Sequence, residues 1–143
     1  MACDATNQQL NGILIQLSRS ILQYLSEASP WVRSDSDESG RLVNSAAAAQ
    51  RDNVGTIARF LNSREHFIDF GSFPTEYTDL QFLALDSMLS SILNGQRQIC
   101  LSLEETATAV DQEDSAAIEL LAGVLASEKQ LLQTLADAAG SDA

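Results

Sequence analysis

The chain has 143 residues, enough for one domain with a real core. Its 20 acidic residues against 8 basic ones give a net charge of −12, a balance that repels phosphate backbones and argues against a nucleic-acid partner. Hydrophobic residues make up 45%, and only 2 prolines and 7 glycines interrupt the chain, which favours long helices over disorder. The sole lysine is Lys129, and no basic cluster offsets the acid. Cys3 and Cys100 do not form a metal or redox spacing, so free thiols in a reducing cytoplasm are the expectation. The opening MACDATNQQ lacks a basic region followed by an apolar run, and no run reaches the roughly 18 apolar residues of a membrane span.

The first helix is predicted over about 6–28. Thr6 and Gln9 fit a capping box, and Leu10, Ile13, Leu14, Leu17, Ile21, Leu22 and Leu25 form an apolar stripe, with Tyr24 at its edge. Pro30 ends it, and Trp31 is expected to anchor one end of the molecule. The acids and hydroxyls of RSDSDESG suit capping of a second helix over about 38–62; they lack the spacing of an EF-hand loop. That second helix carries Ala46, Ala47, Val54, Ile57, Ala58 and Leu61 on its inner stripe. One turn past the alanines, the same face carries Gln50, with Asn53 beside it.

The segment SREHFIDFGSFPTEY, residues 63–77, loses helical periodicity and concentrates aromatics. Extended, about fifteen residues span roughly 50 Å, longer than a helix of twenty-odd residues, so the next helix can run parallel to the last. Phe60, Phe67, Phe70, Phe73, Tyr77 and Phe82 are expected to pack this segment onto the helices; lining a small-molecule pocket or a dimer face is the alternative. A third helix over about 78–110 starts at a Thr78–Gln81 capping box. Its stripe, Phe82, Leu85, Leu89, Ile92, Ile99, Leu103, Ala107 and Val110, is broken at mid-helix by Gln96, and Gly95 beside it permits close packing. After a polar turn at Asp111–Asp114, a fourth helix over about 113–138 carries Ile118, Leu121, Leu125, Leu132 and Leu135, broken by Glu128, with Leu131 nearby. Gly140 is the expected stop.

Three stripes thus place one polar residue each, Gln50, Gln96 and Glu128, where methyl groups belong, and the first helix has Leu17 at comparable height. Left unpaired, such groups cost about 1–3 kcal/mol each, so they are expected to meet in one interior layer. On this pattern the sequence resembles the ferritin-like, bacterioferritin-type di-iron proteins over roughly residues 8–138. LNGILIQLSRSILQYLSEA, with its Gln23–Tyr24 pair, is similar to the bacterioferritin first helix. The resemblance implies an all-α four-helix bundle, residues 1–143 as a single domain, with a long crossover between the second and third helices. It also implies a ligand set of one Glu on each of two helices and Glu-x-x-His on the other two. Here Leu17, Gln50, Asn53, Gln96, Glu128 and Leu131 stand at those places, and only Glu128 is retained; the second helix also lacks the axial Met used for haem.

One carboxylate and a few neutral amides do not balance the charge of two irons. No cofactor is therefore expected, and no catalytic residue is assigned. The leading expectation is a non-catalytic structural or interaction protein that self-associates as a homodimer. A metal-binding or iron-oxidising protein with a non-standard site, for iron or another divalent metal, is one alternative; a small-molecule module is another. His66, the only histidine, could form a weak surface site with Glu65 and Asp69, but a plain surface role is expected.

Overall fold

The computed structural model describes residues 2–28, 38–74, 77 and 85–141. Among them the chain is all-helical, with no strand: α1 is Ala2–Ser18, α2 Ile21–Ala28, α3 Glu38–Ser63, α4 Leu85–Ala109 and α5 Ser115–Ser141. Trp31, the Thr78–Gln81 box and Phe82 lie outside the described residues.

The expected first helix is two. It begins at Ala2 rather than near Thr6, and it breaks at Arg19–Ser20. Thr6 is not a cap: it is buried inside α1, and its hydroxyl accepts the backbone N–H of Asp111 at 3.3 Å, where α4 has just ended. At the break, Ser20 Oγ accepts the backbone N–H of Gln23 at 3.2 Å, which makes Ser20 the N-cap of α2. The apolar stripe is continuous across the break, with Leu10, Leu14, Leu17, Leu22 and Leu25 all buried.

α3 ends in a Schellman motif. The N–H of His66 reaches the carbonyl of Leu61 and that of Glu65 the carbonyl of Asn62, both at 3.0 Å. Glu65 takes the left-handed position at φ 56°, which a glycine would occupy without strain. Asp114 caps α5 by accepting the N–H of Ala117 at 3.2 Å, as the acidic turn suggested. α5 runs through Gly140 to Ser141, past its expected stop; the one described glycine with positive φ is Gly71, so no left-handed cap ends the helix at Gly140.

Side-chain contacts fix the helix directions. Asn7 meets Arg64, Ser20 meets Gln50, and Ser26 meets Asn44, so α1 and α2 run antiparallel to α3. Gln50 meets Glu128 and Arg64 meets Asp114, so α3 runs antiparallel to α5. The Asp111–Asp114 turn folds α5 back along α4. Hence α3 and α4 both end at the Asp114 end, and they run parallel.

The described part of their connection lies along α1. Asn11 exchanges two 3.0 Å hydrogen bonds with the backbone of Asp69, and Arg19 Nε donates to the carbonyls of Phe70 and Gly71. Phe73 and Tyr77 pack on Tyr24 at ring-centroid distances of 5.3 and 5.6 Å. Gly71 has φ 69°, and a Cβ there would stand 2.8 Å from Ile15 Cγ2, so both backbone and space require glycine. Not every aromatic packs as expected: Phe67 is 83% exposed and Phe70 46%.

Two apolar clusters result. One gathers Leu10, Leu14, Leu17, Ile57, Leu61, Leu103 and Leu121; the other gathers Leu22, Leu25, Val43, Ala47, Ile92 and Leu135. Gly95 lets α4 approach α2, since a Cβ there would lie 3.2 Å from Ile21 Cγ2. No described helix is long and apolar enough to cross a membrane.

Candidate functional site

Between the two apolar clusters lies a layer of buried polar side chains. Gln50 and Glu128 are 0% exposed, Gln23 1%, Gln96 2% and Ser20 7%. Each arrives there by helical register: Gln50 follows Ala46 and Ala47 by one turn, and Gln96 follows Ile92 by one turn on the same inward face. Glu128 stands one turn beyond the buried Val124 on α5.

Glu128 is the centre. Its Oε1 accepts Gln50 Nε2 at 2.8 Å and Gln96 Nε2 at 2.9 Å, and its Oε2 accepts a short bond from Asn53 Nδ2. Three carboxamides thus aim N–H groups at one carboxyl, a donor set that matches a carboxylate, which only accepts. The amides are in turn satisfied. Gln96 Nε2 also reaches the Glu128 carbonyl at 3.0 Å, and Gln96 Oε1 accepts Gln50 Nε2 at 3.3 Å. Gln50 Oε1 accepts Ser20 Oγ at 2.8 Å and Gln23 Nε2 at 3.1 Å. Gln23 Nε2 also donates to the Ala47 carbonyl, and its Oε1 accepts Arg51 at 3.1 Å. The chain of amides therefore starts at a group that only accepts, Glu128, and ends at one that only donates, Arg51, so no amide can flip without breaking bonds.

Among the described residues no lysine or arginine stands within ion-pair distance of Glu128. Its compensation is the amide shell. Burial, and next the neighbouring Glu128 carboxylate, push the Cys100 thiol above its ordinary value of 9.0, which keeps this buried cysteine protonated and unreactive.

Of the six positions marked by the resemblance, four converge: Gln50, Asn53, Gln96 and Glu128. Leu17 and Leu131 do not join them; Leu17 belongs to one apolar cluster and Leu131 packs against the other. The first helical segment contributes Ser20 and Gln23 instead, which the stripe reading had passed over. Two signals mark them: Ser20 falls three residues after the buried Leu17, on the same face, and Ser20-x-x-Gln23 has the form of a capping box. The second half of that box is not made, because Gln23 turns inward to Gln50 and Ala47.

His66 serves through its backbone in the helix cap. Asp69 is tied to Asn11 and to the N–H of Gly71, and the described residues contain no grouping of three or more His, Cys, Asp or Glu fit to hold a metal. Comparison with protein-family models, curated proteins and solved structures gave no match.

Proposed function

We propose that this chain is a non-catalytic ferritin-like helical bundle, a structural or interaction protein in which a hydrogen-bonded layer stands where relatives of that type hold two irons. The parallel run of α3 and α4 and the connection laid along α1 support the ferritin-like arrangement over a simple up-down-up-down bundle. The observation that carries the functional reading is the orientation of the amides: Gln50, Gln96 and Asn53 turn N–H groups, not oxygens, toward Glu128.

A di-iron centre does not fit these residues. Two irons need several anionic oxygens and imidazoles. The layer offers one carboxyl whose oxygens already accept three amide bonds, and leucines at the two remaining ligand places. Binding metal would require every amide to turn over, against the polarity set by Arg51 at the far end. The layer acts instead as a registry device, since any slide of one helix would strand several buried polar groups. The same reading holds the protein to be a cytoplasmic homodimer, the commonest closed symmetry for such a protein.

Anaerobic Fe(II) titration of the purified chain, followed by oxygen and metal analysis, is the test. We expect no stoichiometric uptake and no rapid iron oxidation; tight binding of two irons per chain with fast oxidation would sink the proposal. Light scattering checks the dimer.

A further inference from the structure

A cavity of about 380 Å3 opens beside the break between α1 and α2, against α3, and Ser18, Arg19, Gln23 and Arg51 line it. Arg51, Gly55 and Arg59 follow one another at one-turn spacing on α3, and the Arg59 guanidinium lies 3.3 Å from where a Cβ on Gly55 would be. In a chain of net charge −12 with 8 basic residues, two arginines therefore line one opening, and a third, Arg59, lies beside Gly55. Among the described residues none of the three forms an ion pair; the pairs present are Arg64–Asp114 and Lys129–Glu104. Glu27 also lines the cavity, beyond ion-pair distance of either arginine there.

Both lining guanidinium groups are tethered yet unspent. Arg19 donates through Nε to the carbonyls of Phe70 and Gly71 and lies over the Phe73 ring at 4.8 Å. Arg51 donates one N–H to Gln23 Oε1. The remaining N–H groups of each have no hydrogen-bond partner among the described residues, while their positions are held by these anchors. Ser18 also lines this cavity, although its Oγ is buried and has no surface open to the cavity. The rest of the lining is apolar: Val54, Ala58 and the half-exposed ring of Phe70. Gly55, mid-helix, adds no side chain to the floor, although only the flexible tip of Arg59 would meet a Cβ there.

We infer that this cavity binds a small organic anion, its carboxylate, sulfonate or phosphate head held between Arg19 and Arg51, and its aromatic or aliphatic body laid on Phe70 and Val54. Guanidinium forks suit such heads, and the cavity has the size and the mix of apolar wall and few polar groups of small-ligand sites. The inference is independent of whether the interior layer holds metal.

The test is an NMR titration of the full, 15N-labelled chain with phenyl phosphate, run beside inorganic phosphate, which has the head alone, and benzyl alcohol, which has the body alone. Phenyl phosphate should give saturable shifts at Ser18, Arg19, Arg51 and Gly55, and both partial probes should bind at least about tenfold more weakly. Arg51→Gln should weaken phenyl phosphate by about tenfold or more. Gly55→Leu keeps Arg19 and Arg51, shifts only the flexible tip of Arg59 and fills the floor; it should abolish saturation while the far-ultraviolet spectrum stays helical. Raising salt from about 50 to about 500 mM should weaken binding. The proposal is overturned by any of three results: no saturable shift up to about 10 mM, equal affinity for inorganic phosphate, or unchanged affinity in both variants.

Discussion

The interior layer and the cavity beside the helix break share one residue, Gln23, and differ in one respect. In the layer every side-chain donor meets an acceptor, from Glu128 through Gln96 and Gln50 to Gln23. In the cavity, on the other side of the same glutamine, two guanidinium groups keep unused donors. A polar group that is buried and fully bonded has no valence left for a ligand, and its removal is felt as lost stability. A polar group that is anchored but not saturated costs little to remove, and it retains the capacity to bind. The complete region therefore reads as architecture, and the incomplete one as a place for a partner molecule.

Breaking the layer should give the largest effects. Gln50→Leu strips the buried Glu128 carboxyl of one donor, leaves the Ser20 hydroxyl without its acceptor and removes one of the partners of Gln23, and should cost about 4 kcal/mol in urea unfolding. Glu128→Ala leaves a cavity and three amides without their acceptor, at about 3 kcal/mol. Glu128→Gln sharpens the comparison. It keeps shape, and Asn53 can turn its oxygen toward the new N–H because Ser127 can donate in its place, so stability should move by less than about 1 kcal/mol. A cost near that of the alanine variant would mean that the charge itself, not the bonding pattern, organises the layer.

The next effect lies at the end of the molecule. Arg64 grips Asp114 with two 2.7 Å bonds, and this hydrogen bonding holds the Asp114 carboxyl below its ordinary value of 3.8. Arg64→Ala should cost about 2 kcal/mol at neutral pH. Because the folded value is depressed, that contribution is complete above 3.8 and fades as pH falls through the lower folded value. Unfolding curves of the two proteins at pH 7 and at about pH 3 should therefore converge toward acid. One change is a gain: Glu65→Gly relieves the left-handed residue of the α3 cap and should stabilise by about 1 kcal/mol, seen as a higher urea midpoint.

The inner stripes were legible because burial follows a 3.6-residue period: Leu10, Leu14, Leu17, Ile57, Leu61, Leu103 and Leu121 are all buried where that period places them. Gln50, Gln96 and Glu128 were legible for the same reason, as breaks in it. Ser20 and Gln23 carried a weaker mark, a Ser-x-x-Gln spacing inside an unbroken apolar stripe, which gains its meaning only once the helix is known to break beside it. Thr6 misled in the opposite sense. Its sequence context is that of a cap, yet its hydroxyl serves a backbone N–H more than one hundred residues away at Asp111.

By itself the sequence determined what local chemistry controls: helical content, the acidic surface, the inward stripes and the three polar interruptions on them. Only the tertiary structure decided who meets whom. The direction of α4 relative to α3, the identity of the first helix's partners in the layer and the gathering of Arg19 and Arg51 at one cavity all depend on contacts between residues far apart in the chain. Periodicity tells a side chain which way to face; it carries no information about which helix will be there, and that choice is made by packing and by the need of every buried polar group for a partner.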